Sequence, residues 1–269
     1  MSFDHFLITR FNLRYKEWSA TKNGINVTSS DWLNKRFELF NAFCLPSVLN
    51  QSNKNFKWII CFDIDTSPKF KSIIKELSEE HFFIIPVFID DGYNSITVLR
   101  KTIEDNQKTD NEYLITSRLD NDDSIHKDFI RGIQNAFDPK EGLVIDLVNG
   151  YQLMLPKNRK TLAIRRMRTP YNHFLSLVES TSYFNTIFQK WHLDWKVNIT
   201  KTVESDGLWL QVIHDSNLVN DELLHFKETN AINLSDFGIS GKFKLKTKRQ
   251  LIFSNIFSLL KRIQNKLKF

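Results

Sequence analysis

Apolar residues follow two rhythms in the first half of the chain. Four short runs, at residues 5–13 (HFLITRFNL), 56–63 (FKWIICFD), 82–89 (FFIIPVFI) and 112–119 (EYLITSRL), are dense in β-branched and aromatic residues and near the usual strand length. Between them, apolar positions recur at helical spacing behind helix start signals: Ser29, Ser30 and Asp31 before WLNKRFELFNAFCL, Thr66, Ser67 and Pro68 before KFKSIIKELSEE, and Asn94 and Ser95 before ITVLRKTIEDN. Pro46 is expected to end the first of these helices, and Pro86 weakens the third strand.

Strands alternating with helices predict an α/β fold, an open, mainly parallel sheet flanked by helices. Right-handed crossovers would bring the carboxyl ends of all four strands to one edge, where open sheets of this kind bind ligands. Past Asp123, HKDFIRGIQNAF reads as a further helix, GLVIDLVNGYQLML as a longer strand or hairpin, and TLAIRRM as another strand. Beyond Thr169 the pattern is less regular. With no internal repeat or low-complexity linker, the reading is one domain over residues 1–241 and a tail over 242–269.

Composition changes this picture in one place. The 269 residues are 41% hydrophobic and 25% charged, ordinary for a globular protein, and no stretch is apolar enough for a bilayer span. Two cysteines, Cys44 and Cys61, are too few for a disulfide framework or a four-thiolate zinc site. The opening MSFDHFLITRF lacks the basic n-region and cleavage site of a signal peptide, so the expected location is cytoplasmic. The net charge of +6 is concentrated in residues 242–269, which hold nine Lys/Arg and no Asp/Glu; the remainder has 28 basic against 31 acidic residues. A body without excess cations argues against nucleic acid as a partner.

The densest chemistry is Ser117-Arg118-Leu119-Asp120-Asn121-Asp122-Asp123, where the fourth strand should end. Carboxylates this close repel one another unless a cation lies among them, and hard ions such as Mg²⁺ or Mn²⁺ take oxygen ligands, commonly with phosphate oxygens completing the shell. This predicts a metal-diphosphate site; the alternative is a solvated acidic turn or helix cap. An EF-hand loop from Asp120 would need Gly at its sixth position and Glu at its twelfth, where Ile125 and Arg131 stand.

Other candidates lie on the same predicted edge. Asp63 could accept hydrogen bonds from a ribose or base. Thr9 and Arg10 end the first strand, Arg100 lies in the helix leading to the acidic strand, and Arg118 sits in an apolar strand where an unpaired cation would be costly; guanidinium groups suit phosphate oxygens. Two later segments, YNHFLSLVE from Tyr171 and WLQVIHDSN from Trp209, put groups that titrate or coordinate at the margin of apolar runs. In the second, His214 could complete a metal shell from far along the chain.

Together, HFLITRFNLR, LFNAFCLPSVLNQSNKNFKWIICFDIDT, YLITSRLDNDDSIHKDFI, NGYQL and WLQVIHDSN resemble the rhamnosyltransferase family of bacterial glycosyltransferases, which carry a GT-A-like nucleotide-diphospho-sugar transferase domain. The resemblance implies transfer of a sugar from a nucleotide-sugar donor to a glycan or lipid-linked acceptor, as in polysaccharide or lipopolysaccharide assembly. It also implies a divalent metal on the Asp-x-Asp element, here Asp120 and Asp122 with Asp123 beside them, and it adds His214 to the metal and Arg100 to the diphosphate. An inverting enzyme would need a carboxylate base, for which Glu179 and Asp206 are the candidates. Rival classes are a non-catalytic, membrane-associated sugar- or nucleotide-binding protein and a metal-dependent phosphohydrolase.

In the tail, Ile252, Ile256, Leu259, Leu260, Ile263 and Leu267 recur at helical spacing, with Lys261, Arg262, Lys266 and Lys268 largely elsewhere. This is the pattern of a basic helix lying on an anionic membrane surface, placing the protein peripherally at the inner face of the cell membrane. The alternative is a terminal helix packed on its own domain or serving an oligomer.

Overall fold

A computed structural model describes residues 2–14, 29–155, 161–214, 222–240 and 243–267, with side chains to residue 263. Parallel strands β1 (Phe3–Arg10), β2 (Lys57–Asp63), β3 (Ile84–Ile89) and β4 (Tyr113–Arg118) form one half of a seven-stranded sheet, with β1 central between β2 and β4 and β3 at the edge. The edge position suits Pro86, which has no N–H to donate. As expected, the carboxyl ends of all four strands share one edge.

The first helix departs from expectation. α1 (Ser30–Leu39), capped by the Ser29 hydroxyl accepting from Trp32 N–H, runs through a π-helical turn at Phe40–Cys44 into α2 (Leu45–Leu49). Pro46 therefore does not end the helix: it sits in the first turn of α2, where a missing N–H is tolerated after the wider π turn. α3 (Pro68–Glu80) and α4 (Ser95–Glu104) follow β2 and β3. Phe37, Phe40, Trp58, Phe62 and Phe70 fill the core between the first helix and the sheet.

Beyond β4 the chain weaves between two sheets. β5 (Ser124–Ile125) belongs to a second, five-stranded sheet, and α5 (Phe129–Asn135) precedes β6 (Leu143–Leu147) in the main one. The run 142–155 is neither one strand nor a hairpin, because the chain changes sheets at Val148 and β7 (Asn149–Met154) lies in the second sheet beside antiparallel β8 (Thr161–Arg168). β9 (Ser176–Ser180) inserts antiparallel between β4 and β6, and β10 (Thr200–Val203) closes the main sheet beside β6. β11 (Trp209–Ile213) pairs with β7 and β5, and Gly150 is required there because any Cβ would meet the Trp209 ring at 2.1 Å.

The described residues 243–267 continue the fold. β12 (Lys244–Leu245) pairs with β8 and extends the second sheet, and α6 (Lys248–Leu267) docks beside it, so the boundary expected at 241 falls within a folded unit. Lys268 lies outside the described residues, as do the side chains of Lys266 and Leu267. Among the described residues no helix is long and apolar enough to cross a membrane.

Candidate functional site

The acidic segment occupies the seam between the sheets, because β4 ends at Arg118 in one sheet and β5 begins at Ser124 in the other. The turn is pinned on several sides. Leu119 N–H donates to Ile8 O at 3.0 Å, Asn121 Nδ2 donates to Phe11 O at 2.7 Å, and Ser124 Oγ donates to Phe43 O at 2.9 Å.

Its three carboxylates point in two directions. Asp120 and Asp123 face His173, and one ligand atom from each of the three lies within 4.8 Å of the other two. His173 Nε2 is 3.1 Å from Asp123 Oδ2, while Asp123 Oδ1 accepts from Val212 N–H at 2.7 Å. Burial pushes the Asp123 carboxyl up to about 6, opposed by His173 and reinforced by the charges of Asp122 and Asp120. Asp122 turns the other way. Its Oδ2 accepts from Arg36 Nη1 of α1 and lies 2.8 Å from His214 Nε2. Burial alone would raise Asp122, but the charge of Arg36, together with His214, holds it below the usual carboxylate range.

His214 thus reaches Asp122 across the fold, as its place at the end of an apolar run suggested. The expected ligand set of Asp120, Asp122 and His214 does not assemble, however, because Arg36 already neutralises Asp122. The three-residue cluster is instead Asp120, Asp123 and His173. The two carboxylates suit a hard divalent ion and the imidazole favours Mn²⁺ over Mg²⁺, and the upward pull on Asp123 marks a place where added positive charge would be stabilising.

His173 is held by a turn invisible in sequence periodicity. Asp146, fully buried in β6, accepts from Tyr171 N–H at 2.6 Å and from Asn172 Nδ2 at 3.0 Å, fixing a backbone in which Tyr171 has φ of 53°. Burial raises the Asp146 carboxyl to about 6.

Beside the cluster, the guanidinium of Arg118 lies 5.0 Å from the Phe188 ring and 5.9 Å from Trp191, and Arg10 lies 4.5 Å from the same Phe188 ring. The buried Nε of Arg118 has no hydrogen-bond partner among the described residues, and burial pushes this group down to about 10. His192 Nδ1 sits 2.7 Å from Tyr171 O, and burial lowers its pKa. Arg36, His173, Trp191 and His192 are therefore additions to the residues singled out from sequence, although the segment containing His173 carried a polar signal.

Other expected site residues lie elsewhere. Asp63 is on the correct edge, but Arg14 Nε donates to its Oδ2 at 2.6 Å. Thr9 is buried in the core, its hydroxyl accepting from Trp58 Nε1 at 3.0 Å, so it faces no ligand. Arg100 stands about 7–8 Å along α4 from the helix start, over the rings of Tyr183 and Phe184. Glu179 pairs in register with Leu114, near the amino end of β4, and accepts from Asn185 and Thr186 N–H at 2.8 and 3.0 Å. This places Glu179 toward the opposite end of β4 from Asp120. Asp206 is fully exposed, 3.5 Å from Arg166, at the rim of a cavity of about 570 Å³ that also involves His126, Tyr151 and Asp236. That cavity opens at the Leu208 end of β11, away from His214.

A family model described as "putative rhamnosyl transferase" matches residues 4–224, and the chain belongs to that family. A search of functionally curated proteins gives no significant match. Among solved structures, S. aureus TarS 1–349 in complex with UDP-GlcNAc is similar at 10% identity and a TM-score of 0.43, covering 81% of this chain and 60% of that one. A "putative nucleotide-diphospho-sugar transferase" from Desulfovibrio desulfuricans G20 is similar at 9% identity and a TM-score of 0.37, covering 78% of this chain and 80% of that one. The chain thus spans about 60% of the length of the TarS fragment.

Proposed function

We propose that this family member is a glycosyltransferase that moves a sugar, rhamnose being the family's eponymous case, from a nucleotide-sugar donor to a glycan or lipid-linked acceptor. The observation that carries the reading is the juxtaposition of Asp120, Asp123 and His173 with the buried guanidinium of Arg118 at the carboxyl edge of the sheet. Acids on one side and a buried guanidinium on the other suit a ligand that brings a divalent cation and phosphates together.

Asp120, Asp123 and His173 would hold the ion, which when bound supplies positive charge to the departing nucleoside diphosphate. The chain's own groups do the rest. Arg118, with Arg10 stacked on the same Phe188 ring, offers donors to phosphate oxygens in a site dry enough for each bond to count. Trp191 and Phe188 fix the plane of Arg118, so the donor meets a guanidinium already oriented. Asp122, paired with Arg36 and in hydrogen-bond contact with His214, stiffens the turn that presents its neighbours.

The test is a thermal-shift screen of nucleoside diphosphates and nucleotide sugars with and without Mn²⁺. One nucleotide class should stabilise the wild type only with the metal, and Asp120→Ala and His173→Ala should each abolish that shift. Nucleoside diphosphate release that depends on added acceptor then separates transfer from hydrolysis, which needs only water, and from binding without turnover. Absence of any metal-dependent nucleotide shift in the wild type would overturn the proposal.

A further inference from the structure

α6 is amphipathic in the reverse of the usual sense. Leu251, Ser254, Asn255 and Ser258, spaced three and four apart, form the face turned toward the body. That face is fixed by polar contacts. Ser254 Oγ donates to Glu228 Oε1 at 2.9 Å, Asn255 Oδ1 accepts from Glu228 N–H at 2.8 Å, and Ser258 Oγ lies 3.3 Å from Arg165 Nη2. Glu228 and Arg165 are themselves buried, and Lys246 Nζ donates to Glu228 Oε2 at 2.6 Å. Rolling the helix to bury its apolar side would break its contacts to the Glu228 carboxylate, the Glu228 N–H and Arg165, leaving those buried groups short of partners.

The outward face carries Ile252, Phe253, Ile256, Phe257, Leu260 and Ile263, with Phe253 73% and Phe257 68% exposed. Charge identifies what covers it. Residues 242–269 hold nine Lys/Arg and no Asp/Glu, so a second copy seated on this face would bring like charge against like. An anionic lipid surface satisfies both features, taking the apolar side chains at the acyl boundary and the cations among the headgroups.

We infer that α6 is a fixed, in-plane anchor on an anionic phospholipid surface. Because Arg165 of β8 and Glu228 hold the helix, the same network sets the orientation of the body over the lipid. The inference stands on α6 alone and is independent of the sugar-transfer reading.

The test is co-sedimentation of the full chain with phosphatidylcholine vesicles with or without phosphatidylglycerol, for the wild type, Phe253→Ser/Phe257→Ser and Arg249→Gln. The wild type should sediment with the anionic vesicles and much less with the neutral ones. The double variant should partition about tenfold or more weakly, from two lost phenylalanine burials, and Arg249→Gln about fivefold more weakly. The double variant should melt at the wild-type temperature, since both rings face outward. Equal partitioning of wild type and double variant, or none by the wild type, overturns the inference. So does a lowered melting temperature, which would mean the rings pack on the body. A concentration-dependent dimer abolished by the double variant would also overturn it, assigning the face to a second copy.

Discussion

Arg36→Met tests whether Asp122 is held by its counter-charge. The pair is buried, with side-chain exposures of 8% for Arg36 and 10% for Asp122, and methionine keeps much of the apolar stem that packs beside Trp32. Removing one member of such a pair leaves an uncompensated buried charge, at a cost of about 3–5 kcal/mol. His214 stays 2.8 Å from Asp122, which places the expected loss near the lower end, about 3 kcal/mol at pH 7. The pH dependence gives the sign. In the wild type the folded-state pKa of Asp122 is depressed, so its stabilisation is present above the unfolded value of about 4 and is lost as pH falls. Without Arg36, burial is opposed by less and the carboxyl rises, so the penalty grows as pH climbs above about 4. Urea denaturation at pH 4 and pH 7 should therefore show the larger deficit at pH 7, and Arg36→Met/Asp122→Asn should recover at least half of it. A loss under about 1 kcal/mol at pH 7, or no recovery in the double variant, would refute the reasoning.

Three further outcomes are expected. Arg118→Met should weaken binding of nucleoside diphosphate about tenfold or more in a calorimetric titration, since it removes the buried guanidinium beside the acidic cluster. Glu179→Gln should flatten the pH profile. Burial raises the folded-state carboxyl to about 7, so wild-type stability should fall as pH rises from about 4.5 to 7, and the variant should lack that slope while keeping donor binding. Gly150→Ala should cost about 3 kcal/mol or more in urea denaturation, because its Cβ would meet the Trp209 ring at 2.1 Å.

The long periodic segments were legible from sequence alone. β1 to β4 and their helices carry uninterrupted alternation, and the acidic turn stands out because three carboxylates follow an apolar strand. Short-range pattern could not show the change of sheet at Val148 or the insertion of β9, since a five-residue apolar run looks the same in either sheet. Arg36 lies on an amphipathic helix, where a basic residue ordinarily reads as part of a solvated face. His173 became part of the site through Asp146 and Asn172, whose contacts depend on the packing of β6 against β9. Arg100 lies in the helix before the acidic strand as expected, but which side chains that helix would meet, here Tyr183 and Phe184, depends on packing that local pattern does not carry.

The π turn at Phe40–Cys44 has a consequence for affinity. The first helix grips the acidic turn at two points, through the side chain of Arg36 and through the Phe43 carbonyl that takes the Ser124 hydroxyl. A loop clamped at both ends has already lost most of its freedom before any ligand arrives. Capture therefore need not spend interaction energy on ordering it. Regularising the helix would shift that carbonyl, and the penalty would surface as weaker ligand capture rather than as a damaged contact in the site.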